Sequence, residues 1–336
     1  MGSKISAIEY YFPKNELTNA DLTAQFPDYD FEKFEQKVGI KTRYIADSGE
    51  TAFDLAVKAC EKLFLRCEKN DIDYILYCTQ SPEYILPTTA CILQNTLGLR
   101  KNIGALDFNL GCSGFTYGVS MAKALINSGQ AKNILLVTAE TYSKFLNPLD
   151  RSNRAIFGDA ATATLISFSE NEMIGNFLFG TDGSGYDKLI VKNGGSRSPF
   201  AFNPELNDYG TNNSYTDNDL YMNGPDIFNF TSKSIPPFSD EVLEANQITK
   251  DDVDQFVYHQ ANAFMLNSMR KRMKVEPEKF FIDLADGGNT VSCTIPIALK
   301  KYSESKQGNT TENLMIVGFG VGLSWSGGLI KLDNKL

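Results

Sequence analysis

The sequence predicts an α/β fold built from two copies of one unit, each a mainly parallel sheet covered by helices. Three observations carry this. Asp71-Ile-Asp-Tyr-Ile-Leu-Tyr-Cys78 recurs as Asp252-Val-Asp-Gln-Phe-Val-Tyr-His259, 181 positions later, with the same Asp-x-Asp entry. Asn133-Ile-Leu-Leu-Val137 recurs as Asn313-Leu-Met-Ile-Val317, 180 positions later. Any two buried strands share short apolar runs, so the matched offset is the informative part. The third observation is that helical periodicity fills the gaps, and strands alternating with helices specify helix-covered parallel sheets.

Each element has its own signal. Ile5, Ala7 and Ile8 read as an alternating first strand. Ala52, Leu55, Ala56, Ala59 and Leu63 lie at the i, i+3, i+4 spacing of a helix, as do Phe115, Val119, Ala122 and Ile126. Gly129 stops the second of these, and Lys132 and Asn133 lead into the next strand. In the second half, Ala263–Lys274 reads as a helix and Phe280–Leu284 as a strand, and Pro296 suits a first helical turn. The halves are expected at about 1–170 and 171–336, packed as a pseudo-twofold pair. The polar stretch Ser196–Asn223, rich in Asn, Asp, Gly and Tyr, is expected to be a long surface loop or lid.

Composition excludes several classes. With 336 residues, 42% of them apolar and 22% charged, the chain is an ordinary globule with room for a large core. Its net charge of −9 argues against wholesale nucleic-acid binding. The longest apolar run, around Met315–Leu323, is far short of the roughly 20 residues that span a bilayer. No charged and then apolar leader opens the sequence, which points to a cytoplasmic home. Gly2 and Ser6 match a loose myristoylation pattern, but the first strand is the simpler reading. Six cysteines without a CxxC pair and a single histidine support neither a disulfide scaffold nor a zinc centre, so no metal is expected.

Chemistry concentrates at strand ends. Ala105-Leu-Asp-Phe-Asn-Leu-Gly-Cys112-Ser-Gly runs from a strand into a helix through a glycine-flanked turn. A thiol there faces a helix N-terminus, whose partial positive charge favours the nucleophilic thiolate. Most cysteines are simply small buried residues, and the other five read that way. His259 ends the second copy of the repeated strand, and α/β proteins build sites at carboxyl ends of strands. Asp286-Gly-Gly-Asn289 is a turn that sets a neutral NH₂ donor where it can join the histidine. Gly318-Phe-Gly320-Val-Gly322-Leu fails as a dinucleotide fingerprint, since Leu323 stands at the last glycine position. Its glycines suit close backbone approach, with amides free for an oxyanion. Arg270, Lys271, Arg272 and Lys274 end a helix; they compensate its dipole or form a docking patch for an acidic partner.

These motifs, in this order, resemble the β-ketoacyl-acyl-carrier-protein synthase III family of the thiolase superfamily. The carriers are Gly111-Cys112-Ser-Gly-Phe, Arg151–Asp159, His259-Gln-Ala-Asn262, Gly288-Asn289-Thr290 and Gly318-Phe-Gly320, and they span essentially the whole chain. The resemblance implies a duplicated five-layer αβαβα fold, a homodimer and a catalytic triad of Cys112, His259 and Asn289. It also implies a two-stage reaction. Cys112 takes an acyl group from an acyl-CoA or acyl-carrier-protein thioester, with the oxyanion held by amides of Cys112 and of Gly320, Val321 and Gly322. Malonyl-acyl-carrier protein then loses CO₂ between His259 and Asn289, and the resulting carbanion attacks the acyl-cysteine. Coenzyme A or phosphopantetheine thioesters enter as substrates, and no cofactor is needed. Arg151, Phe157, Asn262 and Phe319 are the implied substrate contacts, and Arg270, Lys271, Arg272 and Lys274 the carrier-protein contacts.

The sequence also departs from the family pattern. A tryptophan that stacks on the coenzyme A adenine falls near Lys33 here, and the one tryptophan is Trp325. The basic residue after the His-Gln-Ala-Asn motif is Phe264. Leu86 stands where a partner subunit closes the acyl pocket, and its size suits a longer or branched acyl group. Acyl length, donor carrier and pathway stay open. Acyl transfer to an alcohol or amine would use the same triad. An inactive synthase partner predicts loss of the nucleophile, a thiolase proper needs a second cysteine near Gly318–Gly320, and a papain-like protease would lack the repeat.

Overall fold

The structure is a computed structural model that describes residues 2–208, 213–307 and 310–333. The repeat is visible in it as two sheets. The first runs, in spatial order, Gly2–Tyr11, Ala160–Ser169, Asn133–Glu140, Tyr74–Cys78, Gly104–Phe108. The second runs Gln255–Tyr258, Thr311–Gly320, Ser324–Asp333, Ile174–Thr181. The two repeated strands pair in parallel in both sheets, Tyr74 opposite Ile134 and Gln255 opposite Leu314. Even the entry detail is duplicated. Asp73 Oδ2 accepts from the Asn133 amide at 3.0 Å, and Asp254 Oδ2 from the Asn313 amide at 2.8 Å. The Asn133 and Asn313 side chains donate to the Asp71 and Asp252 carbonyls, both at 3.2 Å. The Asp-x-Asp motif is therefore a strand-start clamp, and the clamp accounts for its appearance in each copy.

Side-chain alternation builds the layers. Ile134 and Leu136 face inward with Leu314 and Ile316 of the other sheet. The helices Gly114–Asn127 and Thr294–Ser305 fill the space between the sheets through Phe115, Val119, Ile126, Ile295 and Leu299. Leu135 and Val137 face outward onto the helix Ala52–Leu63, whose capping box at Thr51 and Asp54 fixes its start. Met315 and Val317 face outward onto the helices Gly224–Ala245 and Ala263–Met273. The result is helix, sheet, helix, sheet, helix. No helix among the described residues is long and apolar enough to cross a membrane.

Two expectations change. Residues 281–284 are not a strand; Phe280 makes one isolated bridge to Phe256, and the chain then turns to pair Asp286–Gly287 with Thr42–Arg43. Four apolar residues in five carried the strand reading, but this segment lies at the sheet edge and Asp283 N–H is taken by the Gln260 side chain at 2.8 Å. The polar stretch 196–223 is not one open loop. Leu220–Met222 pairs with Leu189–Val191, and Asn207–Asp208 with Ser214–Tyr215, while residues 209–212 lie outside the described residues.

Candidate active site

The strand Gly104–Phe108 ends four residues before Cys112, and the helix Gly114–Asn127 begins two residues after it. Glycine makes the turn fit. A methyl on Gly114 would lie 2.2 Å from Cys78 Sγ, and one on Gly320 would lie 2.9 Å from Cys112 Sγ. Strand Thr311–Gly320 can therefore press its backbone directly on the Cys112 turn. The backbone amides of Cys112 itself and of Val321 face the sulfur as donors. Burial, reinforced by the Glu140 charge, pushes the thiol up to about 12, against these amide donors. Glu140 is itself buried, which raises its carboxyl to about 8 despite the Ser292, Gln80 and Ser81 donors.

His259 follows the strand Gln255–Tyr258 and is tied by its N–H to the Val317 carbonyl at 2.9 Å. Its ring stands edge-on to Phe319, at 5.5 Å and 82°. Burial lowers its pKa to about 3, opposed in part by the Val291 carbonyl, so the resting ring is neutral. Nδ1 lies 2.7 Å from Thr294 Oγ1.

Asn289 sits in a turn made by Gly287 and Gly288, both at positive φ; a methyl on Gly288 would lie 2.6 Å from the Ile156 carbonyl. Its backbone exchanges bonds with Ile156 and Gly158, at 2.9 and 3.1 Å. Its side-chain oxygen accepts from the Val291 amide at 2.9 Å, which turns the NH₂ group toward the cavity. Buried Arg43 supports this region from behind: it donates to the Ala155 carbonyl and lies under Gly288.

Cys112, His259 and Asn289 line one cavity of ≈ 380 Å³. Phe157, Phe319, Gly320 and Asn262 also line it, and Asn262 caps the helix Ala263–Met273 by accepting from Met265 N–H at 2.8 Å. Phe264 and Lys37 stand at its rim, the ammonium 4.8 Å from the ring centre. Arg151 lines the adjoining outer pocket with Asn213, Tyr221 and Met222, so residues from the end of the polar stretch, 213–223, form one wall of the mouth. The aromatic partner of Arg151 is Tyr29, 4.0 Å below its guanidinium. Neither Lys33 nor Trp325 takes that place; Trp325 packs on Phe230, away from the mouth. Leu86 is not brought to this cavity and lies 80% exposed at the tip of a separate loop. Arg270 and Arg272 donate to the Val275 and Ser232 carbonyls, so the basic patch is partly anchored, with Lys271 and Lys274 exposed. Sequence reasoning missed Tyr29, Glu140, Val291 and Thr294. The one available signal was the Thr-Val-Ser-Cys-Thr run after Asn289, a polar entry into an otherwise buried helix.

A thiol at a helix N-terminus, amides aimed at its sulfur, and an imidazole and carboxamide in the same cavity can hold an acyl group and an adjacent oxyanion. That is the equipment of an acyltransferase. Residues 106–183 match the family described as 3-oxoacyl-[acyl-carrier-protein (ACP)] synthase III, and residues 243–332 its C-terminal part. The β-ketoacyl-[acyl-carrier-protein] synthase III of Clostridium perfringens is 37% identical over 333 residues, covering 98% of this chain and 99% of its own. That of Caldanaerobacter subterraneus is 34% identical, covering 96% and 95%. A crystal structure of a 3-oxoacyl-(acyl-carrier-protein) synthase III superposes with a TM-score of 0.96 at 43% identity, covering 99% of this chain and 100% of that one. The Thermus thermophilus enzyme gives 0.85 at 30%, covering 98% and 99%. The chain belongs to the 3-oxoacyl-[acyl-carrier-protein] synthase III family: it is a condensing acyltransferase of lipid metabolism with the duplicated thiolase-like fold.

Proposed function

We propose that the enzyme loads an acyl group from a coenzyme A or carrier-protein thioester onto Cys112 and then condenses it, with loss of CO₂, with malonyl-acyl-carrier protein. The observation that carries this reading is the placing of Cys112, His259 and Asn289 in one buried cavity. In the first stage neutral His259 accepts the thiol proton, Sγ attacks the thioester carbonyl, and the amides of Cys112 and the Gly320–Gly322 loop hold the oxyanion. The leaving thiolate takes the proton from the imidazole. In the second stage the malonyl carbonyl lies between His259 and the Asn289 NH₂, and decarboxylation leaves an enolate that both donors stabilise. A carboxylate in place of Asn289 would repel that enolate. The enolate carbon attacks the acyl-cysteine and the β-ketoacyl thioester leaves.

The rest of the reading concerns partners. The phosphopantetheine arm enters past Phe264 and Asn262, with Arg151 and Tyr29 at the outer mouth. Lys271 and Lys274, with Arg270 and Arg272, dock the acidic carrier protein beside it. The apolar loop tip at Tyr84, Ile85 and Leu86, 59%, 93% and 80% exposed, packs on a second copy of the chain in a homodimer. The protein works in the cytoplasm. Intact-mass measurement after mixing with acyl-CoA and acyl-carrier-protein thioesters tests the first stage. An acyl adduct on Cys112, absent in Cys112→Ala and discharged with CO₂ release by malonyl-carrier protein, is expected. Discharge to an alcohol or amine without CO₂ would refute condensation.

A further inference from the structure

His259 is asked for opposite things in the two stages. As a base toward Cys112 it needs a bare Nε2, and as a donor to an enolate it needs a protonated one. What the ring does first is decided on its far side, at Nδ1. One oxygen lies there, Thr294 Oγ1 at 2.7 Å. The same Thr294 hydroxyl lies 3.1 Å from the Val291 carbonyl and donates to it. A carbonyl oxygen only accepts. With the hydroxyl proton given to Val291, Thr294 Oγ1 meets the ring as an acceptor, so a bare Nδ1 would set a lone pair against it, whereas Nδ1–H satisfies it.

Val291 is held in place for this. It is a β-branched residue at φ 57, in the left-handed region that such side chains avoid, and it is fully buried. Its N–H goes to the Asn289 side-chain oxygen at 2.9 Å, while its carbonyl turns to His259 and Thr294. One strained residue thus orients both cavity donors. Backbone held in such a region is where a structure stores geometry for function.

We propose that Thr294 is a positioning residue that, with the Val291 carbonyl, keeps the His259 proton on Nδ1 and so presents a bare Nε2 to Cys112. The inference rests on the two-stage reading above. The consequence for the second stage is a proton requirement. Loss of CO₂ leaves the electron pair of the broken C–C bond in the enolate, which spends it on the new bond to the acyl carbon. The acyl C–S bond then breaks and its pair stays on Cys112 Sγ. A proton drawn from solvent onto Nε2 after malonyl binding, favoured against burial by the negative charge the malonyl group brings beside the ring, makes that nitrogen the enolate's donor, and the same proton ends on Sγ. Nδ1–H is unchanged throughout, and the site returns to its starting state.

His259 is the one histidine in the chain, so ¹⁵N-histidine labelling of the whole enzyme gives a spectrum of this ring alone. At pH 7 the expected spectrum has a protonated Nδ1 and a bare Nε2. Thr294→Val removes the acceptor at nearly constant volume. It should raise the share of the Nε2–H form and slow acyl loading of Cys112 by about tenfold, part of the roughly 10²–10⁴ that a general base supplies. Thr294→Ser should restore both. A wild-type ring protonated mainly at Nε2 overturns the proposal, as does a folded Thr294→Val enzyme with unchanged tautomer and loading rate. Should the valine variant fail to fold, the wild-type spectrum decides alone. Failure of every thioester to load wild-type Cys112 would overturn the functional reading and the base role with it, and the ring spectrum would still report the tautomer.

Discussion

Replacing Gly318 with alanine should damage the Cys112 turn chiefly through its backbone. A methyl there would lie 2.6 Å from the Cys112 carbonyl oxygen, 2.8 Å from Ser113 Cα and 3.0 Å from Thr116 Oγ1. Two of those atoms are backbone, at the start of the helix Gly114–Asn127, so neither can rotate away. Reaching ordinary contact requires the turn or the strand to move by about 1 Å, and overpacking of this kind costs about 1–3 kcal/mol. At roughly 2 °C per kcal/mol for a chain of this size, the thermal midpoint should fall by about 2–6 °C. The effect on chemistry should be larger, since misplacing a reacting group by about 1 Å can cost about 10²-fold. Gly49→Ala is the control, because nothing lies within 4 Å of the added methyl. Melting curves and the rate of acyl loading on Cys112, followed by intact mass, measure both effects. A Gly318→Ala enzyme that melts with the Gly49→Ala control and loads at the wild-type rate would refute the tight contact between strand and turn.

The other expectations rest on separate contacts. Glu140 has a carboxyl raised from 4.5 to about 8, so the folded chain holds a proton that the unfolded chain has lost. Stability should therefore fall as pH rises from about 4.5 to about 8 by up to about 1.4 kcal/mol per unit, and Glu140→Gln should flatten that fall in urea titrations; an unchanged slope would count against it. His259, lowered to about 3, works with the opposite sign: its contribution is complete above 6.5 and is lost as pH falls toward about 3, a loss that His259→Ala should abolish. Asn289→Asp keeps an oxygen for the Val291 amide but loses the NH₂. It should load acyl groups at near the normal rate while CO₂ release drops about 10²–10³-fold; an equal loss in both stages would contradict the assigned role. Tyr29→Ala removes the ring 4.0 Å under Arg151 and should raise the KM for the thioester donor several-fold with kcat little changed.

The parts of this protein legible in its sequence were those fixed by local rules. The repeated strands announced themselves because a clamp as specific as Asp73 on Asn133 and Asp254 on Asn313 leaves the same letters in both halves. Cys112 and Asn289 were legible because glycine must flank them. The contacts that escaped are between segments distant in sequence. Tyr29 and Arg151 lie far apart in the chain, and no local spacing joins them. Thr294 reads as an ordinary first-turn residue until His259 is placed 2.7 Å away. The strand expected at 280–284 failed for the same reason: after one bridge to Phe256 the ladder stops, because the Gln260 side chain, more than twenty positions away, takes the Asp283 N–H.

The repeat also has a bearing on ancestry. The residue that stands in the first copy where His259 stands in the second is Cys78. Its thiol donates to the Leu110 carbonyl at 2.9 Å and is wedged against Gly114, so that end of the first unit is plugged with packing. Two once-equivalent strand tips have thus parted ways, one packed into the scaffold beside the Cys112 turn and the other left lining the cavity. A duplicated chain can make that division because a change at one tip is not copied at the other. Two identical subunits meeting about a true twofold axis would have had to accept every such change at both.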